Sequence, residues 1–514
     1  MDVILINPPS TSRINRIFGP NISYFDVLRA TYLDEAILNS FPGENLGLQY
    51  VAGDLRSRGY NVEIVDACLE EINSDEIVRR VFDASPLVIG FTGPEAIYGE
   101  NVEIINKLES GGFQGHITMG GDFVTREAMA VLSKLKRLNS VCLGEGEGTM
   151  ADLVTCLKNG YSMDCLENVA YRSRGKIIIG APKKWKILDE LPWPVRDQAS
   201  EVLKKGLALS MSTSRGCPYM KCQFCTALKG WRVRGVVSVL DELENLKRQF
   251  GIDWITFVDE DFIGEGDPGK QRVKSIAGGI IKRKLNIEYM IDCRVDAVDK
   301  ELFKLLRESG LKTVFVGFES GVQKILDIYN KGITIDQSIK AMEILQDLGL
   351  TTIPGFIFFD PFSSVEEMLR SFEFFRDIRY YDLIRLAHRL HIGRGMPVYN
   401  LLLTQNKVKR DTLDDRYDFS DPKIRDIHHV LWRYIREVFP GYLAFSKDRN
   451  SLNTNDVEEL KNIHMDFFHS LLEQASMGIQ HMEALCNLYL KKAAAILLKI
   501  PANQNGISTT KEIV

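Results

Sequence analysis

Short apolar runs alternate with amphipathic stretches along the first 170 residues. DVILINPP, NVEIVDA, SPLVIGFTG, HITMGGD and SVCLGEGEG read as strands, while LGLQYVAGDLRSRG, NVEIINKLES and REAMAVLSKL read as helices. Apolar runs that end in Pro or Gly and lead into a 3.6-residue period predict a doubly wound parallel sheet. Ligands of such sheets lie beyond the carboxyl ends of the strands. Here those ends carry Asn7-Pro8-Pro9, Thr92-Gly93-Pro94, Gly120-Gly121-Asp122 and Gly144-Glu145-Gly146-Glu147. Turns use Gly and Pro for conformational reasons alone, yet four such turns on one edge exceed that need.

The pattern changes at 171–205, a basic, proline-bearing stretch that reads as a linker with a small hairpin. A second array follows over 206–400. Its strand candidates are ALSMSTS, DWITFVDE, IEYMIDCR, KTVFVGFE, TTIPGFIFFD and DLIRLAHRLHI, separated by helical patterns such as SVLDELENLKRQF and DKELFKLLRES. Six βα units with near-continuous apolar strands suggest a partial (β/α)6 barrel or a second doubly wound sheet. From 401 to 514 the period is mostly helical, with a polar, frayed tail expected over 501–514. The fold class is therefore α/β: a Rossmann-like domain over 1–170, a partial barrel, and a helical C-terminal domain.

A chain of 514 residues exceeds one hydrophobic core. With 45% hydrophobic residues, 26% charged residues and a net charge of −5, it has an ordinary globular composition and no electrostatic footprint for nucleic acid. The start, MDVILINPPS, reads as neither a signal peptide nor a spanning helix, and no apolar run approaches the ~18 residues of a membrane span. These features predict a cytoplasmic protein without a membrane partner.

Nine cysteines occur in the chain, and three fall within SRGCPYMKCQFC, residues 214–225. Cys217, Cys222 and Cys225 follow a strand candidate directly, at the functional end of a β/α barrel. In a reducing compartment such a cluster reads as a metal or catalytic site. Structural zinc needs four ligands, and a fourth thiol would have to come from Cys293, which lies within a strand candidate. An iron–sulfur cluster is also held by thiolates, and three of them leave one iron open to a small molecule.

SRGCPYMKCQFC resembles the cluster loop of the radical S-adenosylmethionine (SAM) superfamily, whose common spacing is C-x3-C-x2-C. Here the first gap is one residue longer. The resemblance implies a [4Fe–4S] cluster on Cys217, Cys222 and Cys225, whose electron cleaves SAM to methionine and a 5′-deoxyadenosyl radical. It further implies a SAM site from Phe224, Asp259 and Glu260 of FVDEDF, Arg294 of IDCRVD, Glu319 and Ser320 of VGFESG, and Asp360 of GFIFFDPF. These side chains suit a zwitterion with a ribose, offering acceptors for the ammonium and hydroxyls and a cation for the carboxylate. For each alone, a capping or solvated charge is an equal reading.

A doubly wound domain before such a core is similar to the cobalamin-binding subclass of these enzymes. The resemblance implies cobalamin held by Asn7, Pro8, Pro9, Thr92, Gly93, Gly120, Gly121, Asp122, Gly144, Glu145 and Glu147. The D-x-H-x-x-G motif is absent, and His116 precedes a strand candidate, so no histidine is expected to ligate cobalt from below. The implied activity is methyl transfer to an unactivated carbon of a small molecule, such as a natural-product intermediate. An external electron donor such as flavodoxin or ferredoxin would serve the cluster. Ring contraction, cyclisation or oxidation with the same cofactors remains open. So does methylthio transfer, with a second cluster drawn from Cys68, Cys142, Cys156 and Cys165.

Overall fold

The computed structural model of the chain describes residues 1–500 except 11–13, 15–17, 19–21, 23, 32–36, 38–39, 227–229, 410–415 and 479–480. The expected frayed tail, 501–514, lies outside the described residues. Two compact units are formed. One comprises Met1–Phe25, Phe41–Ser214 and Arg232–Thr256, the other Asp26–Ser40, Arg215–Trp231 and Phe257–Val514. Among the described residues, no helix is long and apolar enough to cross a membrane.

The first unit holds a seven-stranded sheet. Its strands are β1 (Val3–Asn7), β2 (Val62–Asp66), β3 (Val88–Thr92), β4 (His116–Gly120), β5 (Ser140–Cys142), β6 (Val169–Ser173) and β7 (Lys176–Ile179). The order is β2-β1-β3-β4-β5-β6-β7. Val3 pairs with Val62 on one side and Val88 on the other, and the ladders from β2 to β5 are parallel. Near-continuous burial of β1 and β3 follows from cover on both faces. Leu48, Ala52 and Leu55 of the helix Leu46–Ser57 pack with Val3, Leu5 and Val62. The order reverses between β1 and β3, which opens a crevice at their carboxyl ends.

The segment read as a linker with a small hairpin forms that hairpin, but as part of this unit rather than as a linker. β6 and β7 add antiparallel to the edge of β5, with Tyr171 opposite Ser140. Buried Val169, Ala170 and Tyr171 cover an edge that would otherwise expose unpaired backbone groups. Farther along, Arg196 forms buried ion pairs with Glu44 and with Glu242, the latter at 3.1 Å.

The turns after β3 and β4 press together. Gly93 N–H donates to the Gly120 carbonyl at 2.7 Å, and a Cβ on Gly93 would lie 2.7 Å from Val124 Cγ1. Gly121 adopts φ +121°, a conformation glycine tolerates best. Gly93→Ala is therefore expected to cost about 1–3 kcal/mol through overpacking. The measurement is the urea midpoint without any ligand, and an unchanged midpoint would refute the packing account.

Five of the six expected strands of the second array form: β8 (Leu209–Met211), β9 (Trp254–Phe257), β10 (Glu288–Arg294), β11 (Leu311–Glu319) and β12 (Thr351–Phe356). In the second unit β10, β11 and β12 are parallel neighbours. The sixth candidate, DLIRLAHRLHI, becomes a short helix, Leu383–Leu386, followed by a single bridge from Arg389 to Phe359. Asp382 explains the change: its side chain accepts the N–H groups of Ile384 and Arg385 at 3.0 and 3.1 Å, which starts a helical turn.

The same unit continues as three helices, Pro422–Lys447, Thr454–Ser476 and Met482–Leu497. Phe468 packs edge-on against Phe358 and Phe372. His464 is fully buried, hydrogen-bonded by Tyr434 at 2.5 Å and by Tyr442.

Candidate active site

The three-cysteine loop is held to the segment after β11 by hydrogen bonds from both sides. Gln223 N–H donates to Tyr329 O at 2.8 Å, Tyr219 Oη to Asn330 O at 2.8 Å, and Asn330 Nδ2 to Lys221 O at 3.0 Å. Gly216 N–H donates to Glu260 Oε2 at 3.0 Å. Phe224 lies 4.9 Å from the Tyr329 ring and turns the loop's apolar side inward. Cys217 and Cys222 are half-buried and Cys225 is exposed. Burial pushes the Cys222 thiol up to about 11, against the pull of Lys331 and Arg294. A thiolate there requires a cationic partner.

Zinc needs ligands converging on one point. Among the described residues, no three His, Cys, Asp or Glu side chains converge in that way. A cubane places each thiolate on a different iron, so it does not demand convergence.

Lys331, which the motif reading missed, links Arg294 to Glu319 beside the loop. Lys331 Nζ donates to Glu319 Oε1 at 2.7 Å, and Lys331 O accepts Arg294 Nη2 at 2.9 Å. All three residues are buried. Glu319 sits at φ +65°, where the β11–β12 register shifts, a conformation that costs a non-glycine residue strain. That turn folds its carboxylate back over Gly317, where a Cβ would meet Glu319 Oε1 at 2.5 Å and Lys331 Nζ at 2.6 Å. Sequence offered no period or spacing that marks Lys331.

The acidic residues divide. Asp259 and Asp261 are buried, and burial pushes Asp261 up to about 6. Asp292 on β10 is pushed up to about 8, by burial first and then by the charges of Asp259 and Glu260. Two further expected SAM residues also make local hydrogen bonds. Ser320 Oγ meets Ser371 Oγ at 3.1 Å and accepts Val322 N–H at 3.2 Å. Asp360 accepts Phe362 N–H, Ser363 N–H and Ser363 Oγ at 2.7, 3.0 and 2.5 Å.

In the first unit the expected cobalamin residues share the carboxyl edge of the sheet. Asn7 Nδ2 donates to Asp66 at 2.9 Å, and Cys68 Sγ donates to Pro8 O at 3.3 Å. Asp122 pairs with Arg126 at 3.0 Å, and Glu145 with Arg232. Glu147 lines a small recess with Lys183, Trp185 and Lys186. Asn101, fully buried, donates to Thr92 O at 2.9 Å and leaves its Oδ1 without a partner among the described residues. His116 begins β4, at the opposite end from Gly120, and shares a hydrogen bond with Ser140 at 2.8 Å. Of the cysteines offered for a second cluster, Cys156 and Cys165 meet at Ser162 O, Cys142 lies inside β5, and Cys68 lies at Pro8.

The Radical SAM superfamily model matches residues 211–375, and the B12 binding domain model matches residues 40–154. The chain is a cobalamin-binding radical SAM enzyme. Its cofactors are a [4Fe–4S] cluster, SAM and cobalamin. The enzyme is 28% identical over 426 residues to an uncharacterized methyltransferase of Pyrococcus horikoshii, covering 80% of this chain and 87% of that one. It is 30% identical over 329 residues to the anaerobic magnesium-protoporphyrin IX monomethyl ester cyclase of Rubrivivax gelatinosus, covering 60% and 57%. Its fold is shared with OxsB, a cobalamin-dependent S-adenosylmethionine radical enzyme solved with aqua-cobalamin and SAM, at TM-score 0.76 and 20% identity over 97% of this chain and 78% of that one.

The acidic group of this radical SAM enzyme sets a pH dependence. Asp292 has its proton affinity raised on folding, so the folded chain holds more protons than the unfolded chain between the ordinary carboxylate range and about pH 8. Stability from this group is complete at low pH and is lost as pH rises through about 8. Asp292→Asn should flatten that decline and raise stability at pH 8.5 by at least about 1 kcal/mol. Urea titrations from pH 5 to 9 without SAM test it, and an unchanged pH slope would count against it.

Proposed function

We propose that this enzyme transfers a methyl group to an unactivated carbon of a small molecule. In this reading Cys217, Cys222 and Cys225 hold the cluster. Arg294 holds the SAM carboxylate, Asp259, Glu260 and Asp261 attract its ammonium end, and Phe224 packs beside it. The carboxyl-edge turns after β1, β3, β4 and β5 hold cobalamin, and the unpartnered Asn101 Oδ1 offers an acceptor to an amide-bearing cofactor. The bound cofactors supply a carbon-centred radical and a transferable methyl group. The protein's part is to orient the reactants and exclude water. Phe224 and Tyr329 pack ring against ring beside the cysteine loop and supply its apolar side. An external donor such as flavodoxin or ferredoxin supplies the electron, and the net charge of −5 argues against a nucleic-acid partner.

The observation that carries this reading is the contact of the loop rings of Tyr219 and Phe224 with Arg294 and Lys331, which bond to each other and on to Glu319, in a chain that also has a B12-binding domain. Cyclisation or oxidation without methyl transfer is the second reading, favoured by the likeness to the Rubrivivax cyclase. Anaerobic turnover with reductant and substrate separates them. Methyl transfer forms S-adenosylhomocysteine and 5′-deoxyadenosine in equal amounts with product, while the second reading forms 5′-deoxyadenosine alone. Cobalt and iron analysis should give about one cobalt and four irons per chain; a chain loaded with iron and no cobalt would sink both.

A further inference from the structure

A cavity of about 360 Å³ lies beside the cluster loop in the second unit, within the size range of small-molecule sites. Pro218, Tyr219, Asp261, Lys270, Arg294 and Asp296 line it, so it presents charges of both signs, as an amino-acid zwitterion requires. The Arg294 guanidinium lies 3.8 Å from the centroid of the Tyr219 ring. Its Nε and Nη2 are engaged by Asp296 at 2.9 and 3.0 Å, and Nη2 also by Lys331 O. Nη1 has no protein partner among the described residues. Tyr219 is itself fixed, since its hydroxyl donates to Asn330 O, and Gly332 leaves so little room that a Cβ there would lie 2.2 Å from that hydroxyl.

We infer that Tyr219 is a positioning residue: its ring supports the Arg294 guanidinium so that Nη1 is kept for one carboxylate oxygen of an amino-acid ligand in this cavity. The ligand is the methionyl end of SAM, and the inference rests on the proposed role of Arg294. A planar guanidinium stacks on an aromatic face as an ammonium does not, and its donors form a rigid fork. With Nε and Nη2 occupied, rotation of the plane would move the one remaining nitrogen off the ligand. The ring also shields the cation from water, which strengthens its pairing with a carboxylate.

The test is equilibrium binding of SAM, without reductant, to the full-length chain reconstituted with its cluster. Tyr219→Leu removes the platform and should weaken SAM about tenfold. Tyr219→Phe keeps the ring and should stay within about twofold. Adding Tyr219→Leu to Arg294→Lys should weaken binding little beyond Arg294→Lys alone, because the ring acts through the guanidinium. Decarboxylated SAM should bind wild type and Tyr219→Leu equally. Iron content and the spectrum of the reduced cluster should be unchanged in Tyr219→Leu. Loss of the cluster in that variant, additive losses in the double variant, or equal weakening of the decarboxylated analogue would overturn the proposal. Cluster-loaded wild type that fails to bind SAM would overturn the Arg294 reading, and this one with it.

Discussion

Replacing Cys217, Cys222 and Cys225 together with Ala should abolish reductive cleavage of SAM, lowering 5′-deoxyadenosine formation by at least about a thousandfold, because the side chains that remain offer no one-electron donor. The loop backbone should survive the change. Its connections to Tyr329, Asn330 and Glu260 use main-chain groups of Gly216, Lys221 and Gln223 and the Tyr219 hydroxyl, none of which belongs to a cysteine. A folded chain without iron and without cleavage is therefore the expected product, checked by circular dichroism, iron assay and chromatography of the nucleoside. Cys156→Ala and Cys165→Ala should leave cleavage intact, since those thiols meet at Ser162 O inside the first unit. Cleavage that persists in the triple variant would contradict the cluster assignment.

Lys331→Met should destabilise the chain by about 3–5 kcal/mol, the cost of removing one member of a buried ion pair and leaving the other charged. Glu319 is 8% exposed and Lys331 6%, so water cannot take over the lost 2.7 Å bond without opening the site. The strained backbone of Glu319 prevents easy escape of its carboxylate. In the double variant Lys331→Met/Glu319→Gln most of the loss should be recovered, because no uncompensated charge remains. Urea unfolding without cluster or SAM isolates this effect from ligand binding. A Lys331→Met loss below about 1 kcal/mol would show that the pair is solvated.

Several elements were legible in the sequence because their signals are local. The apolar runs of β1 to β5 and the Gly and Pro residues at their ends identify a parallel sheet and its carboxyl edge. The close spacing of Cys217, Cys222 and Cys225 singles out the loop to which the proposed cluster is assigned. Elsewhere a local signal was outweighed. DLIRLAHRLHI has strand-like apolar content, but the Asp382 side chain caps a helical turn. Ser320 and Asp360 stand in motif-like positions, and their local hydrogen bonds to Ser371 and Phe362 could not be read from the sequence. A small hairpin was read within the linker, but its place in the first sheet was not, because that depends on the open edge of β5.

By itself the sequence determined the α/β plan, the glycine- and proline-bearing carboxyl edge of its first sheet and the close spacing of three thiols, since periodicity and spacing are properties of neighbouring residues. Tertiary structure alone decided which charges meet at those thiols. Lys331 enters between Glu319 and the loop, and Tyr219 lies beneath Arg294, through contacts between segments far apart in the chain. It also decided where the loop's extra residue goes. Met220 takes φ +49°, and its sulfur accepts Gly230 N–H at 3.0 Å, so the added length is absorbed by a left-handed turn tied to the far end of the loop. Partner choice of this kind depends on how the backbone brings remote groups together, and no local pattern encodes it.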